Sequence, residues 1–449
     1  MNQKLKKYAF LVILVGISAA FFISCAGADG KNGVAGTSVI NTCTTDCHSM
    51  TSATGIKILE AQAQYEFSVH RNGIEEEGTD ALYANSSSCV KCHTHDGFIN
   101  HNPNVAGYTA ATTPDWDAAP IGCFTCHSPH VNGDFTLRVA NGTSFTVGAS
   151  NTGTYNKTTG SLCASCHQAR TAFSSTLPST GKSFNANPHH GPQADMLLGL
   201  GGATWATDPA VTANAISYSN SNHATNTGAG CPQCHMTLPS AISLWPSSTS
   251  SFSFGPDIGG HSFNIRGETH GAGKVNPTGC NVTNCHASTY VYAESIPVYS
   301  STSAAYGYIQ KGGQILAKGT WYKDMATLLT KLANPNAGCA GMFSQAFTAL
   351  GGSIDVEVGQ YTYWFNGAYV TENSNCTIRA FWMPATTVTD TNRVNLAKSA
   401  WNWMYVKNED KSMGAHNTKF AMELLYDSCR ALAVAKGSSA DVDCGATRP

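Results

Sequence analysis

The residues best suited to chemistry in this chain are six cysteine pairs, each followed directly by a histidine. Two thiols spaced in this way add to the vinyl groups of a porphyrin, and the adjacent histidine ligates its iron, so the pattern is typical of covalent haem attachment. Four pairs enclose two residues, and two wider pairs enclose three and four. The narrow motifs are Cys89, Cys92 and His93; Cys123, Cys126 and His127; Cys163, Cys166 and His167; Cys231, Cys234 and His235. The wide motifs are Cys43, Cys47 and His48; Cys280, Cys285 and His286. The sequence therefore predicts six c-type haems.

Zinc binding is the main alternative for these motifs, because cysteine pairs also bind zinc with a histidine or as two pairs supplying four thiolates. Such modules have no need of a histidine directly after the second cysteine, whereas all six motifs have one. At the two wide motifs an unrelated disulfide is the competing explanation. The repeated adjacent histidine favours haem.

The histidines outside the motifs decide what the haems can do. An iron held by one histidine has an open sixth position that binds small ligands, whereas a second histidine closes it and leaves electron transfer. Ten of the sixteen histidines lie outside the motifs, and six are needed to close every iron. The six that we predict as second ligands are His70, His130, His190, His223, His261 and His416.

The local setting of each histidine guides this choice. His130 follows His127 too closely to reach the same iron, so we expect it to serve a neighbouring haem. His190 competes with His189 for one iron and is only slightly favoured. The histidines expected to be bystanders are His95, His101 and His270.

The first 24 residues have the pattern of a secretory signal peptide, with Lys4, Lys6 and Lys7 ahead of an apolar run. The run ends at Cys25 in a sequence that resembles a bacterial lipobox, so we expect an exported protein anchored through a lipid on Cys25. A plain signal peptide cleaved elsewhere is the alternative. Residues 25–40, with a glycine at about every third position, are then a flexible tether.

Four further cysteines lie beyond the motifs, at Cys339, Cys376, Cys429 and Cys444. In an oxidising compartment they allow two disulfides with three connectivities, which the sequence does not separate. We favour the pairs Cys339 with Cys376 and Cys429 with Cys444.

Residues 41–290 are predicted to form a hexahaem domain, and residues 291–449 a haem-free segment. Within the first, 56–71 has helical character and 141–161 reads as a loop. Within the second, 322–332 is predicted as a helix, 354–370 and 375–382 as strands, and 392–407 and 417–436 as helices. The last helix carries Phe420, Leu424, Leu425 and Leu432 on one face.

The composition indicates a loop-rich fold, since only 12% of residues are charged and glycine is abundant. Porphyrins would replace much of the side-chain core. The predicted fold class is a haem-packed, loop-rich multihaem cytochrome with short α-helices and a small α+β C-terminal segment, whose final helix returns to the haem core. The net charge of -2, with no Lys/Arg cluster beyond the signal peptide, excludes a nucleic-acid-binding role.

Several segments are similar to the multihaem c-type cytochromes that metal-reducing bacteria export to their outer surface. Besides the haem motifs, the resemblance rests on residues 123–130, 188–195, 259–263 and 414–417, the last leading into Leu424 and Leu425. The resemblance implies bis-histidine haems in a closely spaced chain. It also implies an outer-membrane lipoprotein, facing the cell surface or the periplasm, that passes electrons towards extracellular acceptors such as ferric oxides.

Three functions compete at this point. The leading hypothesis is a non-enzymatic electron conduit. A reductase of nitrite, hydroxylamine or tetrathionate is the alternative, but it needs one iron with an exchangeable ligand, and no motif marks one. The third is a structural role as a haem filament or as the outer member of a membrane complex. A lipid anchor favours the complex, with another cytochrome or an outer-membrane porin as partner.

Overall fold

The computed structural model describes most of the chain beyond residue 52. The described residues are 53–71, 87–106, 119–128, 135–149, 152–177, 183–186, 188–189, 191–239, 256–265, 276, 278–283, 285–286, 310–311, 314–315, 320–333, 341–351, 353–357, 360–364, 380–382, 390–412 and 414–449. The signal peptide, Cys25 and the tether lie outside them, as do Cys339, Cys376 and the predicted boundary at residue 290.

The described part of the N-terminal half consists of short helices, one small strand pair and the strand Ser183–Asn185, whose partner is Ala380–Trp382 in the C-terminal part. Its helices are Ala53–Tyr65, Ser87–His93, His95–His101, Cys123–Cys126, Ser161–Cys166, Gln193–Leu198, Asn222–Thr225 and Cys231–His235, with a 3-10 turn at Gly260–Ser262. The predicted helix at 56–71 is thus present as Ala53–Tyr65, and after a turn at 66–68 the residues 69–71 are again helical.

A β-hairpin lies in the segment that the sequence predicts as a loop. Strand Phe145–Val147 pairs antiparallel with Gly153–Tyr155, and Val147 lies opposite Gly153. Val147 and Tyr155 are fully buried while the middle residue of each strand is exposed. The loop prediction was wrong here because three-residue strands are too short to produce a visible alternation among serine, threonine and glycine residues.

The C-terminal part is dominated by helices. They are Thr320–Leu332, Met342–Ala349, Asp390–Met404, a π-helical turn at Tyr405–Glu409, Thr418–Lys436 and Ala440–Cys444. Its strands are Gln310–Lys311, Gln314–Ile315, Ser353–Glu357, Gln360–Trp364 and Ala380–Trp382. The predicted helices at 322–332, 392–407 and 417–436 are present with small shifts of their ends, and Met342–Ala349 is an additional helix.

The helix Thr418–Lys436 forms the centre of the hydrophobic core. It begins where the Asn417 side chain accepts a hydrogen bond from the Phe420 N–H, and it ends at Gly437 in the left-handed conformation. The four apolar side chains of the predicted face are all 2% exposed or less. They pack in one cluster with residues of the three other long helices, including Phe343, Phe347 and Trp403. Burial of this face explains why the periodicity was visible in the sequence.

The C-terminal helices hold the loop at residues 200–205 through buried polar contacts. The Asn402 amide accepts a hydrogen bond from the Ala203 N–H at 2.7 Å and donates one to the Ala203 carbonyl at 3.0 Å. Trp401 Nε1 donates to the Gly201 carbonyl at 2.9 Å, and Tyr405 donates to the Leu200 carbonyl at 2.6 Å. A loop without secondary structure thus satisfies its backbone groups with side chains of one helix.

The chain divides into two compact units, Met1–Leu59 and Glu60–Pro449. In the first, only residues 53–59 are described, as the beginning of the Ala53–Tyr65 helix. The second contains the described motifs together with the C-terminal helices. Here Cys429 and Cys444 form a disulfide, the pair favoured from the sequence. Among the described residues, no helix has both the length and the apolarity needed to cross a bilayer.

Candidate functional site

Each of the four narrow motifs lies on a short helix. In the helices Cys123–Cys126, Ser161–Cys166 and Cys231–His235, the two cysteines are three residues apart and therefore share one helix face. The first motif of this type forms the end of the helix Ser87–His93. Cys280 and Cys285 lie in successive turns, while Cys43, Cys47 and His48 are outside the described residues. A helical turn thus presents two thiols and a histidine together.

All ten motif cysteines in the described part of the chain are free thiols, including Cys280 and Cys285. The wide motif at 280–286 is therefore not closed by a disulfide. Within the same described ranges, no group of three or more His, Cys, Asp or Glu side chains has the geometry to hold a metal ion. The histidines meet in twos instead.

Among the described residues, five pairs of histidine rings lie close together, three of them edge to face, and each pair joins a motif histidine to a histidine far away in the sequence. The distances between ring centroids lie between 5.8 and 6.5 Å. The pairs are His167 with His70, His93 with His189, His127 with His261, His286 with His223, and His235 with His416. Two imidazoles that ligate one metal ion from opposite sides, each through a nitrogen about 2 Å away, have centroids about 6 Å apart. The spacing of these pairs fits axial ligation of a haem iron.

Hydrogen bonds to the Nδ1 atoms fix which ring nitrogen remains available. A carbonyl oxygen only accepts, so Nδ1 donates from His127 to Phe135 at 2.6 Å, from His223 to Ala415 at 2.8 Å and from His235 to Phe263 at 3.0 Å. In each of these neutral rings the lone pair therefore sits on Nε2, the nitrogen that is left for a metal.

Gln193 accepts the corresponding hydrogen bond from His167. Its Nε2 donates to the Glu409 and Asp410 carbonyls, so its Oε1 faces His167 Nδ1 at 3.0 Å. Gln193 begins a short helix, Gln193–Leu198, in one of the segments that carry the family resemblance. The sequence contained this residue but gave no sign of its role.

His416 has a carboxylate partner. Its Nδ1 lies 2.6 Å from Asp410 Oδ1, and the Asp410 side chain has no exposed surface. Burial by itself lowers the pKa of His416, but the attraction of the Asp410 carboxylate outweighs it and raises the pKa. Asp410 was missed in the sequence because it lies six residues before His416, across a turn.

Burial lowers the pKa of five of the ten paired histidines and so favours their neutral form. It lowers the pKa of His70 to about 4 and that of His235 to about 4. It also lowers the pKa of His223, His261 and His286. Because only an unprotonated nitrogen can bind a metal, the site is set for ligation at neutral pH.

Three of the histidine pairs meet at Phe263. The Phe263 ring lies edge-on to His70 at 5.1 Å and to His261 at 6.0 Å between centroids. Its carbonyl accepts the hydrogen bond from His235 Nδ1. A single residue therefore touches members of three pairs.

Thiols of different motifs also contact each other. The Cys92 thiol lies close enough to Cys166 for the two to shift each other's pKa, and the same holds for Cys163 with Cys231 and for Cys234 with Cys280. The motifs at 89–93, 163–167, 231–235 and 280–286 consequently lie in one continuous row.

The structure brings four of the six predicted second ligands, His70, His223, His261 and His416, against motif histidines. His130 and His190 are outside the described residues, as is His270. His189, the competitor of His190, is the residue that faces His93, and its Nε2 lies 3.0 Å from Arg170 Nη1. His95, expected as a bystander, contacts Thr125 Oγ1 at 2.8 Å.

The comparison with known proteins finds similarity to the C-type polyheme cytochrome OmcB in two strains of Geobacter sulfurreducens. Each is 27% identical to this chain over 254 residues, covering 41% of this chain and 33% of the relative. The chain thus aligns with about a third of the length of these relatives. No protein-family model and no solved structure matches. The similarity relates this chain to multihaem cytochromes.

Proposed function

We propose that this protein carries electrons through covalently attached c-type haems whose irons are closed on both sides by histidines. The cysteine pairs of the motifs would hold each porphyrin by thioether bonds, and a haem so ligated supplies one-electron transfer without an open site. The five facing histidine pairs are the observation that carries the proposal.

The ligand pairs of the proposal follow the facing rings. They are His127 with His261, His167 with His70, His235 with His416, His286 with His223, and His93 with His189, whose Nε2 would exchange its hydrogen bond from Arg170 for the iron. A sixth haem at Cys43, Cys47 and His48 stays a prediction, and so does the role of His130 as second ligand of a neighbouring haem. The close thiols of four of the motifs support a row of closely spaced haems, as a conduit requires.

The proposal includes an exported protein, held at the outer membrane by a lipid on Cys25, that passes electrons to an extracellular acceptor such as ferric oxide. Its partners would be other cytochromes or an outer-membrane porin. The similarity to the polyheme cytochrome OmcB, although it covers a third of that protein, supports the part of this proposal that concerns haem-based electron transfer.

Mass spectrometry and low-temperature electron paramagnetic resonance (EPR) of the purified protein test the function together. We expect the mass of the mature chain to exceed that of the polypeptide by six haems, and every ferric haem to be low-spin. A high-spin signal from a haem that binds nitrite or cyanide would refute the closed conduit and favour the reductase.

A ligand variant gives a sharper test within the described pairs. We expect His261→Ala to convert one haem to a high-spin form that binds cyanide, because His127 would then be its only axial ligand. His95→Ala is the matched control, since His95 contacts Thr125 and should leave every haem low-spin. Equal spectra for the two variants would contradict the assignment of His261.

A further inference from the structure

We propose that Asp410 is a positioning residue that lowers the reduction potential of the haem centre at His235 and His416, relative to the neighbouring centre at His70 and His167. The inference rests on the proposed function, because it assumes that these pairs ligate haem iron. It goes beyond that function by assigning one haem centre a lower reduction potential than its neighbour.

The Asp410 carboxylate is held rigidly against His416. Its Oδ1 lies 2.6 Å from His416 Nδ1, and its Oδ2 accepts hydrogen bonds from the Ser412 hydroxyl and from the Ser412 N–H at 3.3 Å. The Asp410 N–H donates to the Tyr405 carbonyl at 2.9 Å, closing the π-helical turn. Both oxygens and the backbone are therefore fixed, so the carboxylate cannot turn away from the ring.

This partner differs in charge from those of other paired histidines. His127, His223 and His235 donate to neutral backbone carbonyls, and His167 donates to the neutral Gln193 amide. An anionic acceptor draws the Nδ1 proton more strongly and makes the ring a more basic ligand. A more basic ligand stabilises ferric iron, which carries one more positive charge than ferrous iron, so reduction becomes less favourable.

Burial strengthens the effect. Asp410 is 1% exposed, so the interaction of its charge with the ligand is weakly screened by water. The Asp410 backbone also contacts the neighbouring centre, because its carbonyl accepts from Gln193 Nε2 while Gln193 Oε1 faces His167. The charged side chain therefore acts on the His416 side, and only a neutral amide acts on the His167 side.

The position of this centre gives the shift a consequence for electron flow. Ala415, directly before His416, accepts the hydrogen bond from His223, so the segment 409–416 touches three proposed centres. With a lower potential at His235 and His416, an electron rests on the neighbouring centre at His70 and His167 and crosses the Asp410 centre only transiently.

Potentiometric titration of the holoprotein tests the inference. In Asp410→Asn we expect the reduction equilibrium of one haem to shift by about tenfold towards ferrous, which is about 59 mV for one electron. Asp410→Glu, which keeps the charge, should stay close to the native value. Asp427→Asn is the matched control, because this buried carboxylate pairs with Arg448 instead of a histidine.

Ser412→Ala provides a test of sign, and it applies even if Asp410→Asn fails to bind its haem. Removal of one hydrogen-bond donor leaves more negative charge on the carboxylate, so the same haem should shift a few-fold towards ferric. Unchanged potentials in both Asp410→Asn and Ser412→Ala, with every haem still low-spin by EPR, would overturn the role of Asp410 and leave the proposed function standing. A high-spin haem in the native protein would instead refute the proposed function.

Discussion

Asn402 is the residue whose replacement most directly tests how the C-terminal helices hold the motif-bearing loops. It is fully buried, and its amide makes two hydrogen bonds to Ala203, at 2.7 and 3.0 Å. Ala203 is itself 2% exposed, so water cannot replace either bond after a substitution. Asn402→Ala would therefore leave one N–H and one carbonyl without partners.

The expected cost follows from those two groups. Each buried, unsatisfied backbone group costs about 1–3 kcal/mol, so Asn402→Ala should destabilise the protein by roughly 2–6 kcal/mol. Asn402 Nδ2 also donates to Ser428 Oγ at 3.2 Å, but Ser428 keeps its own bond to the Leu424 carbonyl and adds little to the cost.

Guanidinium unfolding of the holoprotein, followed by circular dichroism at 222 nm and by haem absorbance, measures this effect. We expect a clearly lower midpoint, and the same midpoint for both signals, because Asn402 lies on the helix that leads to Asp410 and His416. Asn408→Ala is the matched control, since its amide contacts the Met404 sulfur at 3.5 Å and the change should cost less than about 1 kcal/mol. Equal unfolding midpoints for the two variants would refute the role of Asn402 in holding the loop at residues 200–205.

Two further predictions concern stability. A Cys429→Ser, Cys444→Ser double variant loses the disulfide between two cysteines that are 15 residues apart, so it should be less stable by about 3 kcal/mol. A reductant should lower the unfolding midpoint of the native protein but not that of the variant. Burial raises the pKa of Asp195 from its ordinary value of 3.8 to about 6. The folded state therefore keeps a proton that the unfolded chain releases, and stability is lost as the pH rises from about 4 through 6. The Asp195→Asn variant has no such carboxyl group to ionise. Its stability relative to the native protein should therefore improve by roughly 3 kcal/mol between pH 4 and pH 7. A stability difference that does not vary with pH would contradict the raised pKa of Asp195.

The parts of the fold that depend on local sequence were predictable. The helices Thr320–Leu332 and Thr418–Lys436 follow from apolar periodicity, because one face of each packs in the hydrophobic core. The helix Met342–Ala349 was not predicted, since eight residues give barely two turns of pattern. Strand Ser183–Asn185 pairs with Ala380–Trp382 across almost 200 residues, and nothing local in either segment indicates the other.

The candidate site also has some features that the sequence predicts and others that it does not. The motif histidines are fixed by their spacing to the cysteines, whereas the choice of His70 for His167, or His416 for His235, depends on contacts between distant segments. His189 and His190 are adjacent and chemically identical, so the sequence could not separate them. Gln193, Phe263 and Asp410 were missed because a ligand's hydrogen-bond partner has no spacing rule.

Under the proposed function, these long-range pairs would make haem ligation dependent on docking of the C-terminal helices. His416 lies between the π-helical turn Tyr405–Glu409 and the helix Thr418–Lys436, and it reaches His235 only when both are in place. The same segment supplies the Ala415 carbonyl that orients His223, the partner of His286. Two centres therefore share one structural support, so an electron path through the motifs at 231–235 and 280–286 should be lost as a unit, not haem by haem, when that support unfolds.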